Sequence, residues 1–407
     1  MKIPVYHKRV KSESKFVFCV LFLAAEISRR PSRTMTNASV ARCINEVLPE
    51  EVFGVIFEEH ARLEWRAPVT DGQVCHQWRQ NILRSPRAWA YPEIHRSCKP
   101  ALLQFRQWLD RSGSVPLHIR FMKRIWGAEK VLDPHCKRIK SITLQCSFNA
   151  LLSNRSFPIL QSLTIMAEYA TSQCIRWSAC YAMPELHSLR VSNISVDASP
   201  SNIFPALRFL ALHRVNNCDS VIRHSSHSLT SLMIGQISLK YTAESLEFPS
   251  LRYLSLLDVM DIKHRMNVPA LTTYHESGIT TAESFSVPLP SLVEYGVRRF
   301  STEPFLNVTK LHQYYPNISR LSLRVQPSDV KLFLHSLSDQ PSALPMLRIL
   351  AVGGEYRMEY SGEDNGSMRK DIFMRNLASS VKMELCFDGK DRVPLYFAYV
   401  RAYINEG

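Results

Sequence analysis

Ten phrases of the form apolar-x-x-apolar-x-apolar succeed one another along the middle of this chain. They read Ile139/Ile142/Leu144, Leu160/Leu163/Ile165, Leu186/Leu189/Val191, Leu207/Leu210/Leu212, Leu229/Leu232/Ile234 and Leu251/Leu254/Leu256. The frame thins at Leu271 with Tyr274 and at Leu292 with Tyr295 and Val297, then returns at Ile318/Leu321/Leu323 and Leu347/Leu350/Val352. First positions are 21, 26, 21, 22, 22, 20, 21, 26 and 29 residues apart, a period that belongs to stacked repeats rather than to a layered globular domain. Each phrase predicts one short strand whose second and third apolar side chains point inward while a polar stretch returns across the back. No such unit buries its apolar face alone, so the core grows in one dimension as neighbours stack. A proline recurs two residues upstream, at Pro158, Pro184, Pro205, Pro249, Pro269, Pro290, Pro316 and Pro345. Just before a strand its missing N–H removes no ladder bond.

The array over residues 139 to 352 resembles an irregular leucine-rich-repeat solenoid, a horseshoe of short parallel strands, which puts the chain in the α/β class. Where the regular repeat carries Asn to bond backbone inside the turn, this chain has Ile194, Val215, Ile237 and Val259. In such a solenoid the third, fifth and seventh places of each phrase face the concave surface, where partners bind. The larger groups there are Arg190, Phe209, His213, Met233, Tyr253, Leu257, Arg320 and Arg324. Arginine and aromatic residues dominate interface energies, so these eight are the candidate target-binding residues. Residues 353 to 371 read as a loop, and the segment to 407 as a strand or helix that caps the array.

Ahead of the repeats, "INEVLPEEVFGVIFEEHARLEW" predicts a helix, with Pro49 at the first helical position and Glu50 and Glu51 facing the positive end of its dipole. Val52, Phe53, Ile56 and Phe57 draw one apolar stripe along it. After a polar, loop-like "RAPVTDGQ" comes a second helical stretch with Val74, Cys75, Trp78, Ile82 and Leu83 on one face, closed by Pro86. A module this small does not bury all its apolar surface alone.

Leu48–Pro49, the stripe Val52, Ile56 and Phe57, then "VCHQWR" at 74 to 79 and "SPRAW" at 85 to 89 resemble an F-box, in the divergent form common in mushroom-forming fungi. The segment 108 to 121, "WLDRSGSVPLHIRF", is similar to the stretch C-terminal to the F-box in those proteins. The resemblance implies docking on a Skp-type adaptor, and through it on a cullin, by Leu48, Pro49, Val52, Ile56, Phe57 and Trp78. The organisation expected is a leader over 1 to 35, an F-box-like module over 44 to 97, a linker and N-terminal cap over 98 to 138, the solenoid over 139 to 352, and a loop and C-terminal cap over 353 to 407.

Composition narrows the function classes. Glycine is 13 of 407 residues, under half the usual share of roughly 7 %, and no phosphate-loop, zinc-protease, nucleophile-elbow or calcium-loop motif occurs. The ten cysteines are scattered, with no pair two residues apart, so reduced thiols and no metal centre are expected. His224 and His227 sit among serines that suggest a loop. Fifty Lys and Arg against 36 Asp and Glu give +14. Of this, +6 lies in residues 1 to 35, and +5 in 118 to 140, which reads as a solvated face rather than a nucleic-acid patch. The leader joins a basic start to an apolar run from Phe16 to Ala25, half of what a membrane span needs. It reads as an arm or an extension before a start at Met35, with a signal peptide as the second reading and a membrane-surface anchor as the third.

A docking module ahead of an array of repeats points to binding rather than catalysis. The expectation is a non-enzymatic substrate-recognition subunit of an SCF-type ubiquitin ligase, cytoplasmic or nuclear, without cofactor, with an acidic or phosphorylated protein target. The alternative is a repeat protein that binds a ligand without a ligase, secreted if the leader is a signal.

Overall fold

The computed structural model describes residues 48–124, 126–145, 149–152, 155–167, 174–177, 183–198, 204–237, 245–259, 265–277, 285, 287–298, 307–325, 327–340, 342–352 and 384–387. The leader, the 353 to 371 stretch and the end of the chain lie outside the described residues. The chain packs as two compact units, Met1–Thr143 and Leu144–Gly407.

The first unit runs α1 (Glu50–Leu63), α2 (Ala67–Asp71), α3 (His76–Arg84), a 3-10 turn (Pro86–Trp89), β1 (Glu93–Ile94), α4 (Lys99–Arg111), β2 (Leu117–Phe121), α5 (Ala128–Leu132), a 3-10 turn (Asp133–Arg138) and β3 (Ile139–Leu144). α1 starts one residue later than the sequence suggested: Pro49 is its N-cap, and its carbonyl accepts from the N–H groups of Val52 and Phe53. The "RAPVTDGQ" stretch is not a loop but holds α2. Pro68 sits in its first turn, where it is tolerated. Asp71 fixes its end by accepting from His60 Nδ1 at 2.9 Å.

One aromatic cluster holds this unit together. Phe53 and Phe57 stack on each other with centroids 5.9 Å apart, and both meet Trp78 edge-on at 5.8 and 5.4 Å. Trp89 packs at 5.1 Å on Trp108 and donates its indole N–H to the Ile82 carbonyl at 3.0 Å. Arg138 donates to the carbonyls of Leu109 and Val115 and to Ser112 Oγ, satisfying groups that the end of α4 leaves open.

The second unit contains α6 (Asn149–Leu152), β4 (Ser162–Met166), β5 (Cys174–Trp177), β6 (Ser188–Ser192), β7 (Ser195–Ala198), β8 (Phe209–His213), α7 (Asp219–Ser225), β9 (Ser231–Gly235), β10 (Leu246–Glu247), β11 (Tyr253–Leu257), β12 (Met266–Asn267), β13 (Thr273–Ser277), β14 (Glu294–Arg298), α8 (Val308–Tyr314), β15 (Arg320–Arg324), α9 (Pro327–Asp339), β16 (Ile349–Val352) and β17 (Glu384–Phe387). Its sheet has the order β4-β6-β8-β9-β11-β13-β14-β15-β16-β17, and every neighbouring pair is parallel. The protein is α/β with a large parallel sheet that takes one strand from each repeat phrase. β17 extends the sheet beyond residue 352. β5 with β7 and β10 with β12 form small parallel ladders of their own.

Register explains the frame. The second apolar positions Leu189, Leu210, Leu232, Leu254, Tyr274, Tyr295, Leu321 and Leu350 are direct partners from strand to strand, and all are buried. Ile194, Val215, Ile237 and Val259 are buried as well, each after a left-handed residue: Asn193, Arg214, Gln236 and Asp258, with φ of 50 to 59°. These four residues donate their N–H to His213, Gly235, Leu257 and Ser277 of the next strand.

The recurring proline has a second role that its missing N–H does not reveal. It takes the second place of a β-turn closed by a bond from the first frame residue to the carbonyl three back, as in Leu207 N–H to Phe204, Leu251 to Phe248 and Leu292 to Leu289, and proline is favoured there. The residue before each proline, from Phe157 to Leu344, is a further buried core position. The long gaps before Ile318 and Leu347 accommodate α8 and α9, which bury Val308 and Leu311, and Val330, Phe333, Leu334 and Leu337, in the return segments. The serine-rich stretch around His224 is helical too, in α7, whereas a loop was expected.

Where the frame thins, the interior becomes polar. Glu276 occupies the third inward position of its phrase and is 7 % exposed. It accepts from the hydroxyl of Tyr274 at 2.9 Å and from that of Tyr295. Tyr274 and Tyr295 stack at 5.5 Å. Burial first, then the Glu276 carboxylate, raises the Tyr274 phenol well above its ordinary value. Glu276→Leu is expected to destabilise the second unit by about 2 kcal/mol by orphaning two buried hydroxyls. The triple change with Tyr274→Phe and Tyr295→Phe should regain most of that in a denaturant melt.

Candidate functional site

Two surfaces carry the expected functional residues, one on each unit. On the first unit the six expected docking residues divide. Phe57 is 1 % and Trp78 4 % exposed; both are committed to the aromatic cluster and have no surface to offer, so the docking role expected of them is corrected to a structural one. Phe53 lies inside with them. Pro49 and Val52 are exposed, and Leu48 and Ile56 half-buried. Val55, one helical turn from Val52, is 58 % exposed. α1 is therefore apolar on two faces, aromatic inward and aliphatic outward. Val55 escapes a sequence reading because a single stripe accounts for a helix packed on one side only. In α3, Trp78 and Ile82 turn inward, while Leu83, and Val74 just ahead of the helix, are about half exposed and leave the face expected of them. Cys75 is the N-cap, its Sγ accepting from Trp78 N–H at 3.4 Å.

The outward face of α1 is fixed by His60, whose bond to Asp71 ties the helix to α2. Hydrogen bonding to Asp71 raises the His60 pKa, against a desolvation effect that lowers it.

On the second unit the eight expected target-binding residues lie on one side of the sheet, alternating with the core rows. Register lines up Phe209, Ser231 and Tyr253 in one row, Arg190, Ala211 and Met233 in a second, and His213, Gly235 and Leu257 in a third, each on successive strands. The Arg190 guanidinium lies 4.7 Å over the Phe209 ring. Leu257 is 9 % exposed, so it presents little surface of its own. Arg320 and Arg324 are half-buried further along, past β13 and β14.

The same face contains His275 and Arg298, which were not among the expected residues. They occupy the fifth place of the phrase at Leu271 and the seventh of the phrase at Leu292. Carrying the frame through its two thin repeats finds them. His275 is 3 % exposed and its ring centroid is 5.6 Å from that of Tyr253. Burial above all, and then the positive fields of Arg320 and Arg324, push its pKa down to about 4, so the imidazole is neutral at pH 7. His213 is shifted down too, by burial and by Arg214.

Both rings rest over a glycine of the next strand. A Cβ on Gly296 would overlap the His275 imidazole, and one on Gly235 would crowd His213 Cδ2 at 2.8 Å. In a chain with 13 glycines, Gly296 stands at the centre of β14 and Gly235 at the end of β9, places where a side chain of the neighbouring strand approaches the backbone closely. Among the described residues no group of three His, Cys, Asp or Glu side chains is placed to hold a metal ion. His224 Nδ1 is instead within 2.6 Å of the Ser220 carbonyl in its own helix. No helix among the described residues is long and apolar enough to cross a membrane.

No protein-family model matches this sequence, and no curated protein matches it significantly.

The two histidines titrate with opposite sign. The raised pKa of His60 contributes stability that is present below about pH 6.5 and is lost as pH rises through the folded-state value. Asp71→Asn should therefore destabilise the first unit by about 1 kcal/mol at pH 6 and by less at pH 9. The depressed pKa of His275 works the other way, with stability lost as pH falls from about 6.5 toward 4. His275→Gln should flatten the loss over that window in thermal melts compared with the unsubstituted chain. Gly296→Ala should displace the ring and lower stability by roughly 1–3 kcal/mol.

Proposed function

We propose that this protein is a substrate-recognition subunit of an SCF-type ubiquitin ligase, with an F-box-like first unit and a leucine-rich-repeat-like second unit. The observation that carries the reading is the two-faced α1. Its aromatic face is the module's core, while Leu48, Pro49, Val52, Val55 and Ile56 form an aliphatic outer strip that a self-contained helical unit has no reason to keep. A Skp-type adaptor is the partner that the Leu48–Pro49 signature implies, and the cullin is reached through it. The repeat face supplies the other half of the task, presenting arginine and aromatic side chains from successive strands to a protein target. Catalysis belongs to the ligase partners. This chain contributes proximity, which makes ubiquitin transfer effectively intramolecular.

Co-purification of the full chain with a Skp-type adaptor tests the docking half. Val52→Asp with Val55→Asp changes exposed residues only, so the fold should survive while adaptor binding falls by roughly a hundredfold or more. Leu48→Ala with Pro49→Ala should weaken binding by about tenfold. Failure of the unsubstituted chain to bind any such adaptor would remove the ligase reading and leave a repeat protein that binds a ligand by its concave face.

A further inference from the structure

Apart from the docking strip and the repeat face, the first unit holds a cavity of about 180 Å³. It lies where the turn after α1 meets β1 and α4, and residues of all three line it. Its inner wall is aromatic. Phe105 and Trp108 are buried, and the half-buried Trp65 packs on Trp108 with ring centroids 5.9 Å apart. The rim is exposed and polar, formed by Arg66, His95, Arg96 and Gln104.

The charges around the rim do not cancel. Glu93 is the one carboxylate on the lining, and both its oxygens are engaged, Oε1 with His95 Nε2 and Oε2 with Arg120 Nη1, each at 2.8 Å. Among the described residues no carboxylate pairs with the side chain of Arg66 or Arg96. The Arg66 guanidinium lies 4.8 Å over the Trp65 ring, a contact with the ring face that leaves N–H groups for hydrogen bonds. Glu64 accepts the Arg66 backbone N–H at 3.2 Å and is not on the lining. On the inner side, Trp108 is 4 % exposed and its Nε1 has no hydrogen-bond partner among the described residues. A buried indole N–H ordinarily finds an acceptor. The cavity thus combines two cations at its mouth, aromatic walls, and an unmatched donor on a residue of its buried side.

We propose that this cavity binds a small aromatic carboxylate of one ring that carries a hydrogen-bond acceptor opposite the carboxylate, the class of para-hydroxybenzoate. Size limits the ligand first. A cavity of about 150 Å³ takes one benzene, so the space here suits one ring with small substituents. It is well short of the roughly 300 Å³ at which pockets for drug-sized ligands begin. Charge then sets the polarity. The carboxylate lies at the mouth, where the guanidinium groups of Arg66 and Arg96 donate to its oxygens. The ring is enclosed by Trp65, Phe105 and Trp108, and aromatic pairs contribute beyond the area they bury. The acceptor at the inner end of the ring takes the Trp108 N–H. A cationic ligand is disfavoured by the two arginines, since Glu93 is already matched by His95 and Arg120. A purely apolar ligand would leave the Trp108 donor as it is.

The site uses neither the aliphatic strip of α1 nor the repeat face, so it stands or falls apart from the ligase reading. The test titrates the full chain by calorimetry and ligand-observed NMR with para-hydroxybenzoate, benzoate, para-hydroxybenzamide, para-hydroxybenzylamine and the two-ring hydroxynaphthoate. Saturable binding of para-hydroxybenzoate is expected, about tenfold tighter than that of the amide and about threefold tighter than that of benzoate. The amine and the two-ring acid should show no measurable binding. Arg66→Gln with Arg96→Gln should bring the acid to the level of the amide. Trp108→Phe, which keeps a ring and removes the donor, should erase the preference over benzoate. Ala101→Leu enlarges a lining side chain of α4 and should abolish binding while a thermal melt shows the chain still folded. The charge-matched pair Arg84→Gln and Arg106→Gln, both exposed and off the lining, should bind as the unsubstituted chain does. Absence of saturable binding, an amide or amine held as tightly as the acid, or affinity that survives Ala101→Leu would each overturn the proposal.

Discussion

The lateral bond between neighbouring repeats is the interaction on which the second unit depends. At each step one carbonyl accepts two successive N–H groups of the next repeat: His187 takes Arg208 and Phe209, Arg208 takes Thr230 and Ser231, Thr230 takes Arg252 and Tyr253, and so on to Ser319 with Arg348 and Ile349. This ladder sets the register, and the register aligns the inward rows of Leu, Ile and Val into one continuous core. Backbone groups that would be costly to bury unpaired are satisfied by the neighbour alone. A strand of four or five residues has little stability of its own, and it acquires its structure from the one beside it.

The same register builds the exposed face. Because side chains alternate across a strand, fixing the core rows also fixes the rows between them, which is how Arg298 and Arg324 come to lie together and how His275 finds Gly296 beside it. The polar break in the core obeys the same logic. Glu276 stands where the frame requires an aliphatic group, and it is tolerated because Tyr274 and Tyr295, on its own and the adjacent strand, turn their hydroxyls to it. The thin part of the core thus lies behind β13 and β14, the strands that also carry His275 and Arg298 on the face opposite the core.

Much of this was legible in the sequence. A regular apolar frame states strand, spacing and inward side at once, and all eight second-position residues from Leu189 to Leu350 are buried as the frame requires. The returns were less legible, since α7, α8 and α9 hang on a few apolar residues in segments of irregular length. Proline signals its missing N–H, while its turn geometry and the buried residue before it carry as much of the structure. Phe57 and Trp78 were expected on a docking strip because an apolar stripe does not say which of its members face inward. Ring volume decides it: the largest side chains go to the core, and valines stay outside. His275 and Arg298 were hidden because they belong to weak phrases, in which the polar replacement of a core residue masks the phase.

Hydrogen exchange on the full chain carrying Leu254→Ala tests the nearest-neighbour account most directly. The substitution removes one inward side chain from β11 in mid-array, where such a cavity destabilises by about 2–5 kcal/mol. The expected result is accelerated exchange at the shared-carbonyl amides Arg252, Tyr253, Thr272 and Thr273, an effect that fades by β6 and β15 and leaves α1 unchanged. A uniform acceleration through both units, or one confined to β11, would contradict a core held together by the bond between adjacent repeats.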